Sequence, residues 1–214
     1  MKKDKIVGNL RVGPLIRAIH SDSVAVWTEW SHPCDVTLTV IPPDCLQKQE
    51  IGTFSAGART VTVGERHYAL SLLTGLQPAT WYTYHVSDST QKSNPPSAEE
   101  TLVQCFRTLD LPNAGIALRL AYGSCRKLSA VDPDALSALG SWLLRFLDER
   151  EVRWPHILLL IGDQIYADDS MGKWKQTPLP VPHGQGPQRA AQSFEEFACL
   201  YACLLYTSPS PRDR

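Results

Sequence analysis

The stretch His156-Ile157-Leu158-Leu159-Leu160-Ile161-Gly162-Asp163-Gln164-Ile165-Tyr166-Ala167-Asp168-Asp169 decides how this chain is read. An aliphatic run closed by glycine predicts a strand of a parallel sheet, buried on both faces. It ends abruptly in Gly162-Asp163. Open α/β sheets hold their ligands beyond the carboxyl ends of their strands, where Asp163 falls. A tyrosine and two more aspartates follow, so hard oxygen donors gather at one strand end. Metal-dependent hydrolysis needs such donors. An aspartate after a strand is also an ordinary turn former or helix cap, so this segment alone leaves both readings open.

The residues just upstream decide between them. Leu118-Arg119-Leu120-Ala121-Tyr122-Gly123-Ser124 reads as a short strand. Asp132-Pro133-Asp134 supplies an N-cap with proline in the first turn. Leu136, Leu139, Leu143, Leu144 and Leu147 then recur at helical spacing up to Arg150. Strand, helix and strand make a βαβ unit with parallel strands. The carboxyl ends Gly123-Ser124-Cys125 and Gly162-Asp163 therefore fall on one sheet edge, which brings a thiol and a carboxylate together.

The first half has a different period. Val24–Trp30, Asp35–Val40, Thr60–Val63 and Trp81–Val86 alternate or are β-branched, with Gly, Pro, Asn and Asp between them. Short strands at this spacing predict an antiparallel sandwich. Leu76-Gln77-Pro78-Ala79-Thr80-Trp81-Tyr82 resembles the corner before a late strand of fibronectin type III domains. That resemblance implies that the Tyr82 hydroxyl bonds back to nearby backbone and that Trp27 is the core tryptophan. Lys92–Ser97 reads as a loop before a closing strand at Val103–Thr108. The breaker-rich Leu111–Gly115 marks a domain boundary. Lys173–Arg189, rich in Pro, Gly and Gln, reads as a surface loop. Ser193-Phe194-Glu195-Glu196 is a capping-box signature, and Phe194, Phe197, Leu200, Tyr201 and Leu204 form a helical face expected to pack in a core.

Composition sets the bounds. The chain has 214 residues, 43% hydrophobic and 20% charged, enough for one large or two small packed domains. A net charge of −1 excludes general nucleic-acid binding driven by charge. No apolar run approaches a membrane span, and no apolar leader follows the basic start, so a cytoplasmic location is expected. The cysteines, Cys34, Cys45, Cys105, Cys125, Cys199 and Cys203, have no zinc-finger spacing and read mostly as buried thiols.

Gly123-Ser124-Cys125-Arg126, followed by Gly162-Asp163-Gln164-Ile165-Tyr166-Ala167-Asp168, resembles the opening of an alkaline phosphatase D (PhoD-like) metallophosphatase domain. The likeness covers roughly residues 8–203. It implies an all-β fibronectin type III-like sandwich at 6–110, followed by a truncated α/β metallophosphatase (calcineurin-like) domain at 116–203. It also implies hydrolysis of a phosphate-ester substrate at a binuclear centre of iron and calcium. Cys125 matches the thiolate ligand to iron, Tyr166 the phenolate ligand, and Asp163 the carboxylate bridging both metals. Arg126 is a candidate phosphate contact through its planar fork of donors. Asp168 and Asp169 read as solvated loop carboxylates. The family's later asparagine and histidine motifs have no counterpart here. His183, the one histidine after Asp169, sits in a Pro/Gly-rich context. Residues 204–214 resemble translated adapter sequence, so the chain is expected to be an inactive fragment. The alternative is a fibronectin-like interaction module with a non-catalytic α/β appendage.

Overall fold

A computed structural model describes residues 9–42, 53–89, 104–111, 115, 117–125, 134–166 and 190–207. The chain divides into two compact units, Met1–Ile116 and Ala117–Arg214. The division lies next to the breaker-rich Leu111–Gly115 segment.

The first unit holds β1 (Leu10–Ile19), β2 (Ser23–Trp30), β3 (Asp35–Ile41), β4 (Phe54–Arg59), β5 (Val61–Val63), β6 (Arg66–Thr74), β7 (Trp81–Asp88) and β8 (Cys105–Arg107). They form two four-stranded sheets, ordered β1-β2-β6-β5 and β4-β3-β7-β8. All their pairings are antiparallel. Strict alternation sends one set of side chains between the sheets. Val24, Val26 and Leu73 from one sheet meet Leu38, Val40, Tyr82, Tyr84 and Phe106 from the other. Val36, Trp30 and Ala69 form a second buried cluster.

Two details fix this unit. The Tyr82 hydroxyl accepts the Gln77 backbone N–H at 2.9 Å, the bond expected of that tyrosine. The Thr108 hydroxyl, fully buried, donates to the Gln77 carbonyl at 2.6 Å and accepts the Thr80 N–H at 2.9 Å. Gly13 is required by its surroundings. Its φ is +97°, and a Cβ there would lie 2.9 Å from the Trp27 carbonyl oxygen.

Trp27 is not the core tryptophan. It lies half-buried on the outer face of its sheet, stacked on Tyr68 with ring centroids 5.6 Å apart. Trp30, at 3% exposure, is the buried one. The three-residue offset, an odd number, sends the two rings to opposite faces. Strands β1, β4 and β6 have no counterpart in the strands read from sequence.

The second unit holds β9 (Leu120–Gly123), α1 (Ala135–Arg145), α2 (Arg150–Arg153), β10 (Ile157–Leu160) and α3 (Phe194–Thr207). The side chain of Asp134, not Asp132, caps α1 by accepting the Leu136 N–H at 3.1 Å. The helix stops at Arg145 instead of running to Arg150, and α2 is separate. Ser193 accepts the Glu196 N–H, while the Glu196 carboxylate accepts the Gln192 N–H, one residue before the usual partner. Phe194 and Phe197 are 48% and 46% exposed and do not pack in a core, whereas Ala198 and Leu200 are buried.

The expected fold class, a fibronectin-like sandwich followed by an α/β metallophosphatase domain, is overturned by these observations. The described strands are overwhelmingly antiparallel. The one parallel pairing among them is the two-stranded β9–β10. Ile157, Leu158, Leu159 and Leu160 are all exposed, where a metallophosphatase sheet would have both faces covered. The sequence pattern of a buried parallel strand is present, but the layers that would bury it are not among the described residues.

Candidate functional site

The β9–β10 pair aligns Ile157 with Leu120 and Leu160 with Gly123. Its register is pinned at both ends. At the amino end, Arg119 acts as a clamp. Its backbone N–H donates to His156 Nδ1 at 2.9 Å, and its guanidinium donates to the Trp154 carbonyl at 2.8 Å and the Glu151 carbonyl at 2.6 Å. These carbonyls lie in and just after the short helix α2. The Trp154 indole N–H in turn donates to the Leu143 carbonyl at 2.9 Å, tying the segment to α1. At the carboxyl end, Ile161 N–H donates to the Gly123 carbonyl at 2.9 Å, and Cys125 N–H donates to the Gly162 carbonyl at 3.2 Å.

That register brings two of the sequence-predicted residues together. The Cys125 thiol donates to Asp163 Oδ2 at 3.6 Å across 38 residues of sequence. Both side chains are exposed. Both backbones are left-handed, Cys125 at φ 58° and Asp163 at φ 50°, and Gly162 between strand and carboxylate has φ 113°. Glycine adopts this region freely and aspartate tolerates it, whereas cysteine adopts it at a cost of about 1–2 kcal/mol. Strained residues of this kind cluster at functional sites. Gln164 donates from its side-chain amide to the Gly162 carbonyl at 2.6 Å, so the same carbonyl anchors both the Cys125 and the Gln164 segments.

Tyr166 follows Asp163 by three residues and is half-buried. Arg126, Asp168, Asp169, His183 and Cys45 lie outside the described residues. The other described thiols are separate. Cys34, Cys105 and Cys199 are outside any disulfide and half-buried, less enclosed than small core hydrophobes. Burial pushes the Cys34 thiol up to about 11, with the Asp88 and Asp35 carboxylates adding to the effect, so it stays protonated.

A sulfur donor next to a carboxylate suits one transition-metal ion, and a phenolate would extend that preference toward ferric iron. A binuclear iron and calcium centre does not fit the same residues. Three donors cannot enclose two ions, and no group of three His, Cys, Asp or Glu side chains gathers among the described residues. Sequence reasoning assigned nothing to Arg119, Trp154 or His156. The only available signal was the position of Arg119 and His156 just before the two strands.

Residues 7–105, less than half of the chain, match a family described as Domain of unknown function (DUF7800). No curated protein sequence matches the chain. Two solved structures share part of its course, a long and a short form of the sensor domain of the anti-sigma factor RsgI4 from Pseudobacteroides cellulosolvens. They are 14% and 16% identical, cover 52% and 50% of this chain and 98% of each of those chains, and have a TM-score of 0.32. At that level they bear on neither its fold nor its function. No described helix is long and apolar enough to cross a membrane.

Proposed function

We propose that the strand ends of β9 and β10 carry part of a metal site of a phosphate-ester hydrolase, with Cys125 and Asp163 as paired ligands and Tyr166 as a third. The observation that carries this reading is the 3.6 Å approach of the Cys125 thiol to the Asp163 carboxylate, made from two left-handed residues. Aspartate is an ordinary left-handed turn residue, but cysteine is not, so turn chemistry alone does not account for the pair. In this reading the ion is iron, because thiolate and phenolate are anionic and electron-rich. Such an ion supplies Lewis acidity toward a phosphoryl oxygen. The chain's own residues would hold the ion and orient the ester, with Arg126, next to Cys125 in sequence, as the phosphate contact.

Titration of the whole chain with ferric iron tests the reading. The expected result is a visible charge-transfer band that weakens or shifts in Tyr166→Phe and changes differently in Cys125→Ser. Iron binding that is absent, or indifferent to Cys125→Ser and Asp163→Asn, overturns it.

A further inference from the structure

The amino end of the β9–β10 pair holds a histidine in one protonation state. The ladder runs from Leu120 opposite Ile157 to Gly123 opposite Leu160. One step before it, His156 N–H donates to the Arg119 carbonyl at 2.8 Å, and Ile157 N–H reaches the same carbonyl at 3.4 Å. The return bond is not backbone to backbone. Arg119 N–H donates to the His156 imidazole Nδ1 at 2.9 Å and has no other acceptor among the described residues. The nearby Trp154 carbonyl accepts instead from the Arg119 guanidinium at 2.8 Å.

A backbone N–H can only donate. Nδ1 must therefore present its lone pair, which fixes the ring as neutral with its proton on Nε2. A protonated imidazole carries a hydrogen on both nitrogens. Nδ1–H would then face Arg119 N–H, two donors with no acceptor between them. The charged side chains on the elements packed at this end are Arg119 itself, Arg145 on α1, Asp148 before α2, and Glu149, Arg150, Glu151 and Arg153 on α2. Glu149 and Arg153 pair with each other, and Glu151 meets Arg119 through its backbone carbonyl.

We infer that His156 is a protonation latch: neutral, it fastens the amino end of the β9–β10 pair, and protonated, it releases that end. The described ladder pairs only four residues on each strand, so one lost bond is a large share of what sets the register. The 3.6 Å approach of Cys125 to Asp163 at the other end depends on that register. The latch acts on the register whether or not the strand ends hold an ion.

Nuclear magnetic resonance of the 15N-labelled whole chain, titrated from about pH 8 to about pH 5 across the imidazole range, is the test. At the high end the His156 ring should show the Nε2–H tautomer, and the Arg119 amide should be protected from hydrogen exchange. As the ring takes up its proton, that protection should fall by at least about tenfold, after correction for the intrinsic pH dependence of exchange, and Ile161 N–H should follow. His156→Asn places an acceptor oxygen near the position of Nδ1 and cannot titrate, so it should keep Arg119 protected throughout. His156→Leu offers no acceptor and should leave Arg119 unprotected at every pH. A ring protonated on Nδ1 at the high end overturns the inference, as does an Arg119 amide that is unprotected there or ignores the His156 titration. These readings need only the unsubstituted chain. Loss of protection in His156→Asn over the same pH range as in the unsubstituted chain overturns it as well.

Discussion

The Cys125 thiol and the Asp163 carboxylate sit 3.6 Å apart because β9 and β10 are parallel and in register, so their carboxyl ends share an edge. Both hold left-handed backbone, which strains the cysteine more than the aspartate. Replacing Asp163 by glycine relieves a left-handed aspartate and should leave thermal stability unchanged or raise it by up to about 1 kcal/mol. The same substitution should abolish the iron charge-transfer band. A melt that falls sharply in Asp163→Gly would mean that the carboxylate is held for structure, not for a ligand.

The same site leads to a kinetic prediction. Thiolate, carboxylate and phenolate from this chain cannot by themselves surround two ions, and in-line displacement between two metals needs both. The whole chain loaded with iron and calcium should therefore not turn over p-nitrophenyl phosphate or a phosphodiester. Turnover that disappears in Asp163→Ala would refute this.

The convergence of Cys125 and Asp163 was legible in the sequence because it depends only on topology. Strand, helix, strand dictates a shared edge whatever the side chains do. Trp27 was misplaced for a reason equally physical. Period-2 alternation identifies two faces but not which one is buried, and β2 carries a tryptophan on each. Leu158, Leu159 and Leu160 read as a buried parallel strand because hydropathy reports what a segment could bury. Burial itself requires neighbouring layers. Strand β6 escaped notice because Leu70 and Leu72 break the polar half of its alternation, the same departure that makes its outer face apolar. Arg119 was invisible because a clamp on helix-end carbonyls leaves no pattern in the chain.

In the first unit, the Thr108 hydroxyl joins the Gln77 carbonyl to the Thr80 N–H where no water reaches it. Thr108→Val keeps the shape and removes the hydroxyl, taking a partner from the Gln77 carbonyl and the Thr80 N–H. It should cost about 1–3 kcal/mol. Tyr82→Phe removes a single hydroxyl acceptor and should cost about 1 kcal/mol. Chemical denaturation of the two variants should rank them in that order.

The Arg66–Glu29 pair lies on the outer face with side chains only 11% and 3% exposed. Arg66→Met should destabilise by about 3–5 kcal/mol, because it leaves the enclosed Glu29 carboxylate without this cation. Replacing both, with Glu29→Leu added, should recover most of the loss, since two apolar side chains of similar volume carry no desolvation cost. A double variant no more stable than the single one would show that the pair contributes more than it costs to bury.

His85 on β7 gives the pH dependence. Burial pushes its imidazole below the usual value, which favours the neutral ring in the folded chain, and its Nδ1 has no hydrogen-bond partner among the described residues. In the unfolded chain the ring protonates near pH 6.5. Below that pH the unfolded state binds a proton that the folded state does not, so stability should rise with pH through this window. Above about pH 6.5 both states are neutral and this contribution is flat. The sign is therefore loss of stability on acidification, beginning near the unfolded value and ending at the lower folded one. His85→Gln, which keeps a polar side chain but cannot titrate, should flatten the dependence in that window while carboxylate titration at lower pH persists. Urea midpoints measured from pH 7.5 to pH 5 for both proteins check this, and parallel curves for the two would rule out His85 as the group responsible.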